Sequence, residues 1–150
     1  MKTEVVSVTS GTTVREAARL MVDRRVGTLP VLDTERRLIG IISMYQVIDL
    51  FLPDFVTLLD NIDFVSDFGA LEDLTPQDVR GVEQRAVNEI MVEPTALDSN
   101  DGLIHALALM RKHNLRDVPV VTQDRRLIGM VSWVDVGRAF LAKWEGEASA

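Results

Sequence analysis

Residues 10–51 of this chain return, without a gap, 89 positions further on. Leu29-Pro30-Val31-Leu32, followed by Arg36-Arg37-Leu38-Ile39-Gly40-Ile41-Ile42-Ser43, comes back as Val118-Pro119-Val120-Val121, followed by Arg125-Arg126-Leu127-Ile128-Gly129-Met130-Val131-Ser132. The same register joins Ser10 to Ser99, Ala17 to Ala106, Leu20 to Leu109, Met21 to Met110, Val47 to Val136 and Phe51 to Phe140. A sequence written twice folds as two copies of one supersecondary unit that bury their apolar faces together. In a chain of 150 residues neither half has enough interior to stand comfortably alone, so the copies must share a core.

Each copy reads strand, helix, strand, strand, helix, which makes the fold class α/β (α+β). Val5–Val8 and Thr95–Leu97 are short strand-like starts that end in the polar turns Thr9-Ser10-Gly11-Thr12 and Asp98-Ser99-Asn100-Asp101. A helix follows in each copy, with Thr12 or Thr13 and Asp101 as candidate N-caps. Its apolar residues, Val14, Ala17, Ala18, Leu20 and Met21 or Leu103, Ala106, Leu107 and Met110, recur near helical spacing. Two short β-branched runs then flank a charged turn, Asp33-Thr34-Glu35-Arg36 or Thr122-Gln123-Asp124-Arg125, as in a strand pair. A second helix carries Val47, Ile48, Leu50 and Phe51, or Val134, Val136, Ala139, Phe140 and Leu141.

The copies occupy residues 3–52 and 91–143, with an insertion at 53–90 between them and a disordered tail expected at 144–150. The insertion reads as helical. Phe55, Leu58, Leu59, Ile62, Val65 and Phe68 form an apolar stripe against Asp54, Asp60, Asp63 and Asp67. Thr75-Pro76 has the pattern of an N-cap followed by proline, opening a second short helix through Ala86. Such a segment suits a cover for the sheet or a part of an oligomer interface.

Composition narrows the function. With 47% hydrophobic and 26% charged residues the chain has a real core. No apolar run approaches the roughly 20 residues needed to cross a bilayer, and Met1–Val5 lack the apolar region of a signal peptide, so a cytoplasmic location without membrane contact is expected. The absence of cysteine removes disulfides, thiolate metal sites and cysteine nucleophiles. His105 and His113, at the two ends of one helix, suit surface or capping positions better than ligands. A net charge of −7 opposes nucleic acid, whose affinity comes largely from Lys and Arg contacts with phosphate.

Proline near the start of a strand pair, a charged turn, then Gly-apolar-apolar-Ser-x-x-Asp opening a helix, all doubled, resembles the tandem cystathionine-β-synthase (CBS) domain pair. The resemblance covers both repeats and leaves out the insertion. It implies a pseudo-twofold pair with two clefts, which in the family often hold an adenine nucleotide or another adenosyl ligand. In the second copy Ser132 ends a strand and Asp135 stands in the first helical turn. A carboxylate there can accept two hydrogen bonds from a ribose diol, while Ser132 and nearby amides face phosphate. Asp135 can equally serve only its own helix N-terminus. By the same resemblance the base would lie near Val5 and Val6 in the first strand and Val26 and Gly27 before Pro30, with Met130 as a wall. Gly27 is otherwise an ordinary helix-ending glycine. Arg116 falls where relatives often carry a basic residue facing the cleft, although its neighbour Asp117 would repel phosphate. Arg36, Arg37, Arg125 and Arg126 read as solvated turn charges.

The first copy departs from the pattern, with Gln46 where aspartate is expected after Ser43. Glutamine is neutral and presents one acceptor oxygen, so the cleft around Ser43 and Gln46 should bind more weakly or differently. These features point to a regulatory module rather than an enzyme, because neither histidine is tied to Ser132 and Asp135 by a motif. It would require no cofactor and would sense AMP, ADP, ATP, S-adenosylmethionine or NAD on behalf of a regulated protein. Two alternatives stay open, a Mg²⁺-responsive sensor and a structural dimerisation module with empty clefts. The stretch 103–110 is apolar on more sides than one core face requires, which predicts a homodimer through the first helix of each repeat.

Overall fold

The computed structural model describes residues 1–50 and 81–148. The first repeat contains β1 (Val8–Thr9), α1 (Val14–Arg24), β2 (Thr28–Leu32), β3 (Leu38–Ser43) and α2 (Met44–Asp49). The second contains β4 (Leu97–Asp98), α3 (Leu103–Lys112), β5 (Asp117–Val121), β6 (Leu127–Ser132) and α4 (Trp133–Ala148), preceded by a 3-10 turn at Val87–Glu89. Each repeat builds a three-stranded sheet in the order of its sequence. The lead strand pairs parallel with the middle strand, Val8 opposite Val31 and Leu97 opposite Val120. The last two strands pair antiparallel, Pro30 opposite Ile41 and Pro119 opposite Met130, each with a register shift at the turn end.

Local chemistry explains where the helices begin and end. Thr13 caps α1: its hydroxyl accepts the Glu16 amide at 3.2 Å, and the Glu16 carboxylate accepts the Thr13 amide at 2.9 Å. The helix buries Val14, Ala17 and Met21 and stops at Arg25, which adopts a left-handed φ of 55°. In α3 the cap is Gly102 rather than the expected Asp101. The Asp101 carboxylate is instead taken by the Asp98 amide at 2.7 Å, which closes the turn before the helix.

Two apolar clusters fill the repeats, one around Leu29, Val31 and Ile42 and the other around Val118, Met110 and Val136. A third belongs to both. Leu32 and Leu38 pack with Val121 and Leu127, joined by Val5 and Ala96. Above it the two hairpin turns meet on the pseudo-twofold: the Leu38 amide donates to the Arg125 carbonyl at 2.9 Å, and the Leu127 amide to the Arg36 carbonyl at 3.2 Å. Arg36 and Arg125 take left-handed φ values of 64° and 67°, and both carry the carbonyls used in this junction.

The repeats also exchange their leading segments. Lys2 forms an antiparallel bridge with Met130 of β6, each amide donating to the other's carbonyl at 2.9 Å. Val92 does the same with Ile41 of β3, at 2.9 and 3.0 Å. This crossing gives the repeated glycine its reason. A Cβ at Gly40 would collide with the side chain of Met91, and one at Gly129 with Met1 and, at 3.0 Å, with the Lys2 carbonyl.

The lead strands are two residues each, Val8–Thr9 and Leu97–Asp98, where the sequence predicts strand starts at Val5–Val8 and Thr95–Leu97. Residues 81–85 form turns and a bend, and Ala86 a bridge, rather than the end of a helix. Gly81 takes a φ of 88°, and Ala86 bridges Thr13. The expected tail is helical as far as Ala148, since Leu141, Ala142, Lys143 and Glu145 are strong helix formers that extend α4 past the predicted boundary. The apolar stripe at 55–68 and the Thr75-Pro76 helix start lie outside the described residues.

Candidate functional site

The place where the third strand of each repeat gives way to its last helix forms a corner, and the two corners are equivalent under the repeat. At the second, the Trp133 amide donates to the Arg116 carbonyl at 2.7 Å, which ties the strand before Pro119 to the helix start. The Asp135 amide donates to the Ser132 hydroxyl at 3.0 Å, and the Ser132 amide reaches Asp135 Oδ2 at a long 3.4 Å. Asp135 therefore serves its own helix N-terminus. Its Oδ1 is left without a hydrogen-bond partner among the described residues. The hydroxyl and then the amide of Ser132, helped by the nearby α-amino group and Lys2, hold the Asp135 carboxyl below the usual carboxylate range despite its slight burial, so it is ionised at neutral pH.

The first corner has the same backbone and different chemistry. The Met44 amide donates to the Gly27 carbonyl at 2.8 Å. Gln46 Oε1 accepts both the Ser43 amide and the Ser43 hydroxyl, each at 2.5 Å. The single acceptor of Gln46 is thus used twice within the corner.

Other residues from the sequence reading fall around these corners. Met130 is half-buried in β6 and carries the Lys2 bridge from the start of the chain, so backbone of the first repeat lies beside the second corner. Arg116 is exposed and joined to this corner through its backbone. Val5 packs in the cluster shared by the repeats, while Val6 and Val26 pack against the first repeat's core. Gly27 is exposed and bonded to the first corner, and the left-handed residue ending α1 is Arg25, not Gly27. Among the described residues no hydrogen bond joins Val5, Val6, Val26 or Gly27 to Ser132 or Asp135. His105 is exposed with Nε2 at 3.6 Å from the Asp101 carboxylate, and His113 ends α3. Arg37 pairs with Glu35 at 2.5 Å and Arg126 with Asp124 at 3.3 Å, both in solvent.

Two residues at the second corner were not singled out as ligand contacts from sequence. Lys2 arrives by strand exchange, a pairing that no local pattern encodes. Asp117 opens β5 directly opposite Ser132. Burial raises its proton affinity most, Asp135 raises it further, and Lys2 and Arg116 lower it. A hollow of about 310 Å³ elsewhere, lined by Thr13, Arg15, Glu16, Arg19, Glu83 and Gln84, holds two arginines and two glutamates that offset each other. Among the described residues no group of three or more His, Cys, Asp or Glu converges as a metal site, and no helix is long and apolar enough to cross a membrane.

Comparison with known proteins supports this architecture. The family model for the CBS domain matches residues 1–53 and 87–142. The chain is 27% identical over 147 residues to the chloroplastic CBS domain-containing protein CBSX1 of Arabidopsis thaliana, covering 93% of this chain and 61% of that protein. It is 26% identical over 132 residues to a homoserine O-acetyltransferase of Methanobrevibacter ruminantium, covering 88% of this chain but 21% of the enzyme. The crystal structure of CBSX2 in complex with AMP superposes with a TM-score of 0.67 at 27% identity, covering 93% of this chain and 89% of that one. With both repeats matched and the paired three-stranded sheets in place, the chain belongs to the CBS domain family as a tandem pair.

Proposed function

We propose that this CBS pair is a regulatory module that binds an adenosyl compound at the Ser132–Asp135 corner and transmits its occupancy to a partner protein. The observation that carries the reading is the corner itself: an ionised carboxylate with one open oxygen, beside a serine and backbone of the first repeat. A ribose diol can donate two hydrogen bonds to such a carboxylate. The AMP complex of CBSX2 supports the ligand class, and the small share of the homoserine O-acetyltransferase that the chain matches supports a module that accompanies other activities. AMP, ADP, ATP, S-adenosylmethionine and NAD are the compounds to test.

Thermal melting with each compound at millimolar concentration tests the reading. At 100 times its dissociation constant a ligand stabilises the native state by about 2.7 kcal/mol. Asp135→Asn retains a side-chain oxygen for the helix cap but loses the charge, and should abolish the melting shift while the free protein still folds. Unchanged melting of the wild-type protein with all five compounds would defeat the proposal.

The same module is proposed to act as a homodimer. Ile104 on α3 is 67% exposed, Leu141 and Trp144 on α4 are 51% and 65% exposed, and Ala108 also faces solvent. Such a surface suits an isologous contact with a second copy. Light scattering should give twice the chain mass at micromolar concentration, and Ala108→Glu should reduce it to one. A wild-type mass of one chain would remove the dimer.

A further inference from the structure

Asp117 occupies a position that the first repeat fills with an uncharged residue. It opens β5 opposite Ser132, as Thr28 opens β2 opposite Ser43. Its carboxylate therefore lies beside the serine whose hydroxyl accepts the Asp135 amide, and two carboxylates share one corner with the α-amino group, Lys2 and Arg116 around them. Asp117 is half-buried, and among the described residues no donor hydrogen-bonds its carboxylate and no cation comes within ion-pair distance. Lys2 and Arg116 are near enough to ease its charge without pairing with it, and burial outweighs them. The first corner presents Gly27, Thr28, Ser43 and Gln46, none of them charged, at the places where the second presents Arg116, Asp117, Ser132 and Asp135.

We infer that Asp117 is a specificity residue, which makes the second cleft select adenosyl compounds with a neutral or cationic 5′ substituent over 5′-phosphorylated nucleotides. The inference rests on the reading of this cleft as an adenosyl site. Once the ribose diol is held by Asp135, the 5′ substituent is directed toward Ser132 and the strand opposite it. A phosphate placed there meets the Asp117 carboxylate directly across the strand pair, in a partly desolvated corner where the α-amino group, Lys2 and Arg116 lie nearby without pairing with that carboxylate. Like charges a few ångströms apart at intermediate dielectric repel strongly, whereas a thioether adds no charge and a sulfonium is attracted.

Calorimetry with 5′-methylthioadenosine and AMP, on the wild-type protein, Asp117→Asn and Asp117→Thr, tests the inference. Threonine is what the first repeat carries at this position, so the second variant guards against a misfolded first. The wild-type protein should bind 5′-methylthioadenosine at least about tenfold more tightly than AMP. Both variants should gain about tenfold in AMP affinity and change less than about twofold for 5′-methylthioadenosine. Equal affinities in the wild-type protein, or AMP binding unchanged in both variants, would overturn the selectivity while leaving the adenosyl site intact. Absence of binding by either compound to all three proteins would overturn the site and the selectivity together.

Discussion

The two corners of this protein share a backbone and differ in almost every functional side chain. Both end a strand in serine, both tie the helix start to the residue three before proline, and both place a hydrogen-bonding side chain three positions after the serine. At the first corner that side chain is Gln46, whose one acceptor is spent on Ser43. At the second it is Asp135, whose Oδ2 makes one long bond and whose Oδ1 remains open. Duplication has preserved what the fold requires, a cap for the helix, and released what only a ligand would need. On the proposed reading, a capping residue and a binding residue can be one group, distinguished by how many acceptors remain after the cap is made.

The strongest way to break the comparison is to give the first corner a carboxylate. Gln46→Asp should create or strengthen a second binding event by at least about tenfold, because a hydrogen bond to a charged acceptor contributes about 1.5–3 kcal/mol. Calorimetry should then show two sites where the wild-type protein is expected to show one. Two equal, independent sites in the unmodified protein would end the argument from asymmetry.

A smaller effect separates the two crossings. Gly40→Ala meets only the flexible Met91 side chain, while Gly129→Ala also meets the Lys2 carbonyl, which is backbone. Overpacking of this kind costs about 1–3 kcal/mol, and the Gly129 variant should sit at the upper end. Hydrogen exchange should show loss of protection at the Lys2 and Met130 amides in that variant. Equal costs and retained protection would mean that the exchanged strand contributes little.

The smallest expected effect is a dependence on pH. Asp117 has a folded pKa raised by burial and by Asp135, so the folded state favours its protonated form. Its charge therefore costs stability above the folded pKa, and the cost disappears as pH falls through that value toward the unfolded one. Asp135 is opposite in sign: its stabilisation is present above the unfolded carboxylate value and fades as acid protonates it. Asp117→Asn should raise neutral-pH stability by less than about 1 kcal/mol, since the group is only half-buried and solvent screens it. Chemical denaturation at pH 7 and in acid should show the gain shrinking as pH falls, and a gain that grows in acid would contradict the assignment.

The sequence was most informative where structure is local. The 89-residue register revealed the repeats, and the apolar spacing of Val14, Ala17 and Met21 revealed the buried face of α1. Serine and aspartate at Ser132 and Asp135 were legible as a helix start because a cap needs only neighbours along the chain. The crossing of Lys2 over Met130 was not, since that pairing joins residues at opposite ends of the sequence and leaves only a glycine as its trace. The cap of α3 differs from the expected Asp101 because the Asp98 amide takes that carboxylate in the preceding turn, leaving Gly102 at the cap position. The helical continuation past Lys143 is poorly marked in the sequence, because Gly146 reads as a helix end and no capping pattern shows where the helix stops.

Strand exchange also bears on how the molecule can be cut. A fragment holding one repeat would expose the edge of its last strand, at Ile41 or Met130, and would carry a leading segment with no edge to join. Two such fragments are complementary in the way halves of a split reporter are. Separately produced repeats should therefore remain poorly folded alone and recover the paired sheets on mixing, each lending the other its first residues.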